Sequence, residues 1–176
     1  MSPSAPRIYG MRRAWTADRI AGREMRAAGL HQSTPLGATD RLLLHAEGTA
    51  RGCERSPRPA LHLAILTCMD SRIDPAGLFG LALGDAQILR NAGGAATEDV
   101  IASVRLTQEN FGVRDVVVVQ HRGCVALDDP ADPRRSVARA LAALSRAPGL
   151  TVNARGFVLD IPSGRLTEVH PRLITT

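Results

Sequence analysis

The sequence contains no lysine, since all 22 of its basic residues are arginines. This excludes the phosphate-binding lysine of a P-loop, a Schiff-base lysine and a lysine general base. Aromatic residues are few as well: three Phe, one Tyr and one Trp in 176 residues. A nucleic-acid-binding surface needs clustered cations and aromatic rings for stacking, whereas these arginines are scattered. We therefore expect no nucleic-acid partner, despite a formal net charge of +5.

Long apolar runs are also missing. No segment approaches the roughly 20 apolar residues of a membrane-spanning helix, and residues 1–22 lack the apolar core of a secretory signal. The composition, with 44% hydrophobic and 22% charged residues, is ordinary for a globular protein. We expect a cytoplasmic protein without membrane association.

Cysteine is scarce, with Cys53, Cys68 and Cys124 as the full set. Disulfides are uncommon in the cytosol, so metal-binding or catalytic roles gain weight. Cys53 lies in a polar stretch, and we interpret it as a free thiol.

The composition changes near residue 38. Residues 1–38 are rich in Arg, Ala, Gly and Pro with weak periodicity, which predicts an arm that is poorly ordered or wraps a partner. Residues 39–176 are predicted to form a single α/β domain, opening with a helix capped by Thr39 or Asp40. Leu42 and Leu43 give that helix an apolar face.

Strand and helix patterns alternate along the rest of the chain. This alternation predicts a mostly parallel central sheet flanked by helices, and the last two strands predict an antiparallel hairpin at its edge. We expect strands at 61–67, 85–90, 115–120, 157–161 and 165–169, and helices from Asp74–Pro75 to Leu81, from the Thr97 cap to Phe111, and after Asp132–Pro133.

Soft metal ligands follow two of the predicted buried strands. Cys68 comes at the end of the first strand, and His121 and Cys124 follow the third. Because carboxyl ends of parallel strands meet at one sheet edge, the three side chains can share one zinc ion. Three protein ligands leave a fourth position for water, as in catalytic zinc sites. The alternatives are a buried Cys68, a hydrogen-bonded structural His121, or a Cys68–Cys124 disulfide; we favour the metal.

Asp70 and Arg72 lie two and four residues beyond Cys68. A carboxylate beside zinc either occupies the fourth position or accepts a hydrogen bond from a water there. An arginine that grips both carboxylate oxygens favours the second role and keeps the acid ionised. The alternative is an ordinary surface ion pair.

A glycine loop ends the second predicted strand. Asn91, Gly93 and Gly94 are candidate substrate-binding residues, since backbone N–H groups in such a loop can hold a small anion. A simple tight strand-to-helix turn explains the glycines equally well.

Together these motifs resemble those of the β-class carbonic anhydrases, in particular the small bacterial members. The resemblance rests on Cys-x-Asp-Ser-Arg at 68–72, Arg-Asn-Ala-Gly at 90–93 and His-x-x-Cys at 121–124, in that order, and extends over roughly 61–170. It implies zinc on Cys68, His121 and Cys124, an Asp70–Arg72 catalytic dyad, and a homodimer or tetramer. The implied reaction is reversible hydration of carbon dioxide to bicarbonate and a proton.

Two departures from the family pattern keep other functions open. Val125 follows Cys124 where the family usually has glycine, and the segment 125–154 is short. A related zinc hydrolase of carbon disulfide or carbonyl sulfide is one alternative. A non-catalytic, zinc-stabilised binding protein on the same fold is the other.

Overall fold

The structure is a computed structural model that describes residues 37–49 and 55–170. The chain divides into two compact units, with the boundary between Glu54 and Arg55. Nearly all of the predicted arm, and Cys53, lie outside the described residues. The predicted domain boundary near residue 38 therefore stays a prediction.

In the first unit, helix α1 spans Ala38–Thr49. It begins slightly before the predicted cap, so Asp40 lies in the first turn, where its carboxylate accepts a hydrogen bond from the Gly37 N–H at 3.0 Å. A negative charge in the first turn also interacts favourably with the helix dipole. The predicted apolar face is open to solvent, with Leu42 63% and Leu43 58% exposed.

The second unit is built on a five-stranded sheet with the order β2-β1-β3-β4-β5. Strands β1 to β4 are parallel to one another, and β5 runs antiparallel to β4. This confirms the predicted α/β fold with a mostly parallel sheet and a C-terminal antiparallel hairpin. The strands are β1 (Leu63–Cys68), β2 (Ala86–Asn91), β3 (Asp115–His121), β4 (Asn153–Asp160) and β5 (Arg165–Val169).

Three helices and one 3₁₀ turn connect the strands: α2 (Pro75–Phe79), the 3₁₀ turn Ala92–Gly94, α3 (Glu98–Phe111) and α4 (Arg134–Arg146). Helix α2 is shorter than predicted because Gly80 follows it in the left-handed conformation, with φ +66°. Thr97 occupies the expected position before α3 but makes no side-chain capping hydrogen bond. No helix among the described residues is long and apolar enough to cross a membrane.

Apolar residues are buried on both faces of the sheet. One cluster joins the sheet to α3 and α4, and it includes Leu66, Val104, Val118, Val137 and Leu144. The other contains Ile65, Ile73, Val119 and Leu159 together with Cys68 and Cys124. Two of the candidate metal ligands thus belong to the packed interior.

Strand β4 starts four residues earlier than predicted. Asn153 pairs with Asp115, and the parallel register continues to His121 opposite Leu159. Gly156 lies inside this strand because α4 packs closely over it. A Cβ at residue 156 would overlap a methyl group of Val137 and come within 3.0 Å of Leu141 Cδ1.

Gly156→Ala should therefore destabilise the protein, because overpacking a rigid core costs roughly 1–3 kcal/mol. Chemical denaturation measures the change in the free energy of unfolding. The double variant Gly156→Ala, Val137→Ala is the matched control. Truncating Val137 removes the overlapping methyl, so the double variant should lose less stability than the sum of the two single variants. If the two losses of unfolding free energy were strictly additive, the close packing of Val137 over residue 156 would be contradicted.

Candidate metal centre and active site

The predicted ligands converge at the carboxyl ends of the parallel strands. Cys68 is the last residue of β1 and His121 the last of β3, and these two strands are hydrogen-bonded neighbours. Strand β2 ends beside them, with Asn91 in register with Cys68. The sheet topology therefore brings three separate sequence motifs to one edge.

Cys68, His121 and Cys124 form a compact donor set. Their ligand atoms all lie within 4.8 Å of one another, and each residue is at most 4% exposed. The two sulfurs are 3.8 Å apart. Two thiolates bound tetrahedrally to zinc, each with a Zn–S bond of ~2.3 Å, would lie ~3.8 Å apart. The donor set thus matches zinc in both chemistry and spacing.

A Cys68–Cys124 disulfide, one of the alternatives, is not formed. Both cysteines are free thiols, and their separation of 3.8 Å is well beyond an S–S bond of about 2.05 Å. Burial raises the pKa of the Cys124 thiol, and the neighbouring Cys68 raises it further. A divalent cation would offset both effects, because it stabilises the two thiolates together.

The imidazole of His121 is oriented by the main chain. Its Nδ1 lies 2.9 Å from the Arg122 carbonyl oxygen, which can only accept, so Nδ1 carries the proton. Its Nε2 is buried and has no hydrogen-bond partner. A ring held through Nδ1, with an Nε2 that lies beside two sulfurs and has no hydrogen-bond partner, is the arrangement that a metal-binding histidine requires.

Asp70 and Arg72 form the predicted bidentate pair at the edge of this donor set. Arg72 Nε donates to Asp70 Oδ1 at 2.9 Å and Nη2 donates to Oδ2 at 2.7 Å, while the Arg72 backbone N–H adds a third hydrogen bond at 3.0 Å. These contacts hold the pKa of Asp70 far below its usual range. Oδ2 also lies 3.8 Å from His121 Nε2. An ionised carboxylate is therefore fixed beside the metal position.

The three predicted substrate-binding residues have different surroundings. The Asn91 side chain exchanges two hydrogen bonds with the Ala95 backbone, at 2.8 and 2.9 Å, and so closes the loop. Gly94 approaches β1 so closely that a Cβ would lie 3.0–3.2 Å from the Thr67–Cys68 backbone. Gly93 lines the pocket at the donor set. A substrate contact by any of the three stays a prediction.

Sequence reasoning missed two polar side chains that support this edge. Gln120, fully buried, donates to the Gly94 carbonyl oxygen at 3.1 Å. Arg90 donates to the carbonyl oxygens of Cys68 at 3.0 Å and of Asp70 at 2.7 Å. Arg90 belonged to a motif identified in the sequence, but its contacts depend on the sheet register and have no local signal.

A pocket of about 650 Å³ opens onto the donor set, between the segments 68–72, 92–93 and 123–126. Two apolar side chains at its rim are strongly exposed, Met69 at 66% and Val125 at 99%. The Cys-His-Cys set is thus reachable from solvent through an apolar mouth.

Two cysteines and one histidine at the carboxyl ends of neighbouring parallel strands, with an Asp–Arg pair beside them, define a candidate zinc site of the catalytic type, with three protein ligands. Comparison with known proteins identifies the family. A family model described as carbonic anhydrase matches residues 63–147. Beta-carbonic anhydrase 1 of Mycobacterium tuberculosis is 32% identical over 138 residues, which covers 64% of this chain and 85% of the relative.

Two further comparisons bear on the fold and on the alternatives. The crystal structure of carbonic anhydrase from Streptococcus mutans superimposes with a TM-score of 0.68 at 31% identity, covering 78% of this chain and all of the other. Carbon disulfide hydrolase of Saccharolobus solfataricus is 45% identical over 62 residues, 35% of this chain and 30% of the relative. The similarity to the Mycobacterium tuberculosis enzyme, of which this chain covers 85%, shows that the chain belongs to the β-carbonic anhydrase family.

We predict that the purified protein holds one zinc ion per chain, because Cys68, His121 and Cys124 form a buried three-donor cluster that fits zinc. Elemental analysis after purification without added metal measures the content. Cys68→Ser and Cys124→Ser should each lose most of the zinc, since a neutral hydroxyl is a far weaker ligand than a thiolate. Cys53→Ser is the matched control and should keep it. Undiminished zinc in the Cys68→Ser, Cys124→Ser double variant would refute the assignment.

Proposed function

We propose that this protein catalyses the zinc-dependent, reversible hydration of carbon dioxide to bicarbonate and a proton. The observation that carries the proposal is the Asp70 carboxylate, held by Arg72 and lying 3.8 Å from the free Nε2 of His121. This places a fixed hydrogen-bond acceptor at the open side of a three-donor metal site. Membership of the carbonic anhydrase family supports the same reaction.

Cys68, His121 and Cys124 are the residues that would hold the zinc. A zinc ion in such a site acts as a Lewis acid and makes a water molecule acidic enough to yield a nucleophile near neutral pH. Two thiolates would neutralise the charge of the ion, so this effect would be weaker here than with three neutral histidines. The surrounding residues must therefore contribute to the reaction.

Asp70 would supply that contribution by accepting a hydrogen bond from the reacting water. Arg72 occupies both of its oxygens, which keeps the carboxylate ionised and aimed toward the metal position. Without this grip, the carboxylate is free to bind the metal and exclude water. Arg72 would thus keep Asp70 as a hydrogen-bond acceptor for the water and prevent it from becoming a metal ligand.

The apolar mouth of the pocket suits an apolar substrate. Met69 and Val125 present hydrocarbon surface at the entrance, so a small uncharged gas enters without losing hydrogen bonds. Among the residues that line the pocket, His121 is the only histidine. Because its Nε2 is a proposed metal ligand, the released proton would pass to solvent or buffer.

A hydrolase of carbon disulfide is the second candidate. Its specific support is the same apolar rim, since carbon disulfide is more hydrophobic than carbon dioxide, together with the local similarity to a carbon disulfide hydrolase. The exposed Val125 side chain lies at the rim instead of filling the pocket. The open pocket and the Asp70–Arg72 pair argue against a purely structural zinc.

We also propose that the protein assembles as a homodimer or a larger even oligomer in the cytoplasm. Strand β2 is an edge strand, and near it Leu83 is 72% and Ile88 41% exposed. A second copy could cover these apolar side chains together with the pocket rim. Two reduced cysteines are consistent with a cytoplasmic location.

For the dyad, Arg72→Ala should lower the rate of carbon dioxide hydration about 100-fold or more while the zinc content stays unchanged. All three metal ligands remain, but the released Asp70 carboxylate competes for the metal. Asp70→Ala should keep residual activity that rises with pH, because the site stays open. Stopped-flow hydration assays and elemental analysis measure both properties, and carbon disulfide is tested in parallel by sulfide release.

The matched control is Arg134→Ala. Arg134 grips Asp132 through the same two-residue spacing and the same guanidinium fork on the surface, outside the pocket lining. Its loss should leave hydration unchanged. Full activity in Arg72→Ala would exclude the dyad role, and sulfide release without carbon dioxide hydration in the wild type would replace the first candidate with the second.

Light scattering at micromolar concentration should show a dimer or a larger even assembly. Ile88→Glu should shift that assembly toward the monomer, because it places a charge on the exposed edge strand. Thr167→Glu, on the opposite edge strand β5, is the control for added charge. A wild-type monomer would contradict the proposed assembly.

A further inference from the structure

Arg90 lies outside the metal donor set and outside the Asp70–Arg72 pair, yet it contacts the main chain of both. It is the fifth residue of β2, in register with Thr67 of β1. Its Nε donates to the Cys68 carbonyl oxygen at 3.0 Å and its Nη2 to the Asp70 carbonyl oxygen at 2.7 Å. One guanidinium therefore bridges a metal ligand and the proposed acceptor of the reaction.

We propose that Arg90 is a positioning residue that fixes Asp70 relative to the metal site by holding the backbone of residues 68–70. The proposal rests on the function given above, because it assigns Arg90 a part in the same reaction. Arg90 touches neither the donor atoms nor the carboxylate, so it acts through Cys68 and Asp70 and not on the substrate.

The backbone needs such support because β1 ends at Cys68. Beyond it, the Met69 N–H still donates to the Asn91 carbonyl oxygen at 2.9 Å, and the Ile73 N–H donates to the Asp70 carbonyl oxygen at 3.0 Å. Arg90 adds two hydrogen bonds to this turn from a neighbouring strand. The turn is thereby tied to the sheet at the residue that carries the carboxylate.

Small displacements matter at this position. Asp70 Oδ2 lies 3.8 Å from His121 Nε2, so the carboxylate is close enough to the donor set for its exact position to decide between an acceptor role and a ligand role. Misplacement of a reacting group by about 1 Å can lower a rate about 100-fold.

The guanidinium fork is the feature that this role requires. Two N–H groups in one rigid plane reach two carbonyl oxygens that are two residues apart, and a lysine ammonium cannot reproduce that plane. Charge alone is not the requirement, because both acceptors are neutral carbonyl groups. Arg90→Lys therefore keeps the positive charge but removes the planar fork, so it tests the contribution of the geometry alone.

The test compares Arg90→Lys and Arg90→Gln with the wild type, in zinc-bound and cobalt-substituted protein. We expect kcat for carbon dioxide hydration to fall about 10- to 100-fold with KM little changed. We also expect the visible absorption bands of the cobalt protein to shift, because they report the geometry around the metal. The matched control is Arg155→Lys, which loses the same kind of fork, on Glu168, and should leave both readouts unchanged.

Each outcome decides the proposal. Wild-type kcat and an unshifted cobalt spectrum in Arg90→Lys would overturn it. Failure of both Arg90 variants to fold, judged by circular dichroism and thermal unfolding, would also overturn it, because Arg90 would then be a general stability residue. If the wild type does not hydrate carbon dioxide, the proposed function fails, while a shifted cobalt spectrum in Arg90→Lys would still support the positioning role.

Discussion

The central constraint in this structure is the burial of two thiols 3.8 Å apart at one edge of a parallel sheet. Burial and the neighbouring Cys68 both raise the pKa of the Cys124 thiol, so its thiolate form is disfavoured. A divalent cation reverses this, since thiolate formation, metal binding and packing of the sheet edge then support one another. The rest of the site surrounds these two thiols: a histidine whose Nε2 has no hydrogen-bond partner, a carboxylate held by an arginine, and loops hydrogen-bonded to the strand ends.

The role proposed for the Asp70–Arg72 pair depends on the residues around it. Asp132 and Arg134 repeat the same spacing and the same fork at the start of α4, where they are surface residues. Within the part of the chain that the structure describes, the three-residue ligand cluster lies elsewhere, at Cys68, His121 and Cys124. The repetition shows that an Asp-x-Arg sequence predicts a local ion pair but does not by itself predict a functional site. The Asp70–Arg72 pair differs in that its carboxylate lies 3.8 Å from His121 Nε2, and the proposed catalytic role rests on that difference.

Much of the fold was predictable because the signals are local. Continuous apolar runs in the sequence predicted β1 and β3. Because the candidate ligands follow directly at the ends of these runs, predicting the two strands also predicted the position of the site. The start of β4 was missed because Asn153 and Arg155 are polar and Gly156 is a poor strand former. Their strand conformation comes from pairing with β3 and packing under α4. The contacts of Arg90 and Gln120 were missed for a related reason, since each joins segments that only the sheet register brings together.

The hydrogen bond from His121 Nδ1 ends on a backbone oxygen, that of Arg122. Many metal-binding histidines are oriented by a carboxylate side chain, which a single substitution can remove. Here the acceptor is present whatever residue occupies position 122. A substitution of the Arg122 side chain, which itself donates to the Ala131 carbonyl oxygen, would therefore leave the ring acceptor in place and would not change which ring nitrogen lies toward the two sulfurs.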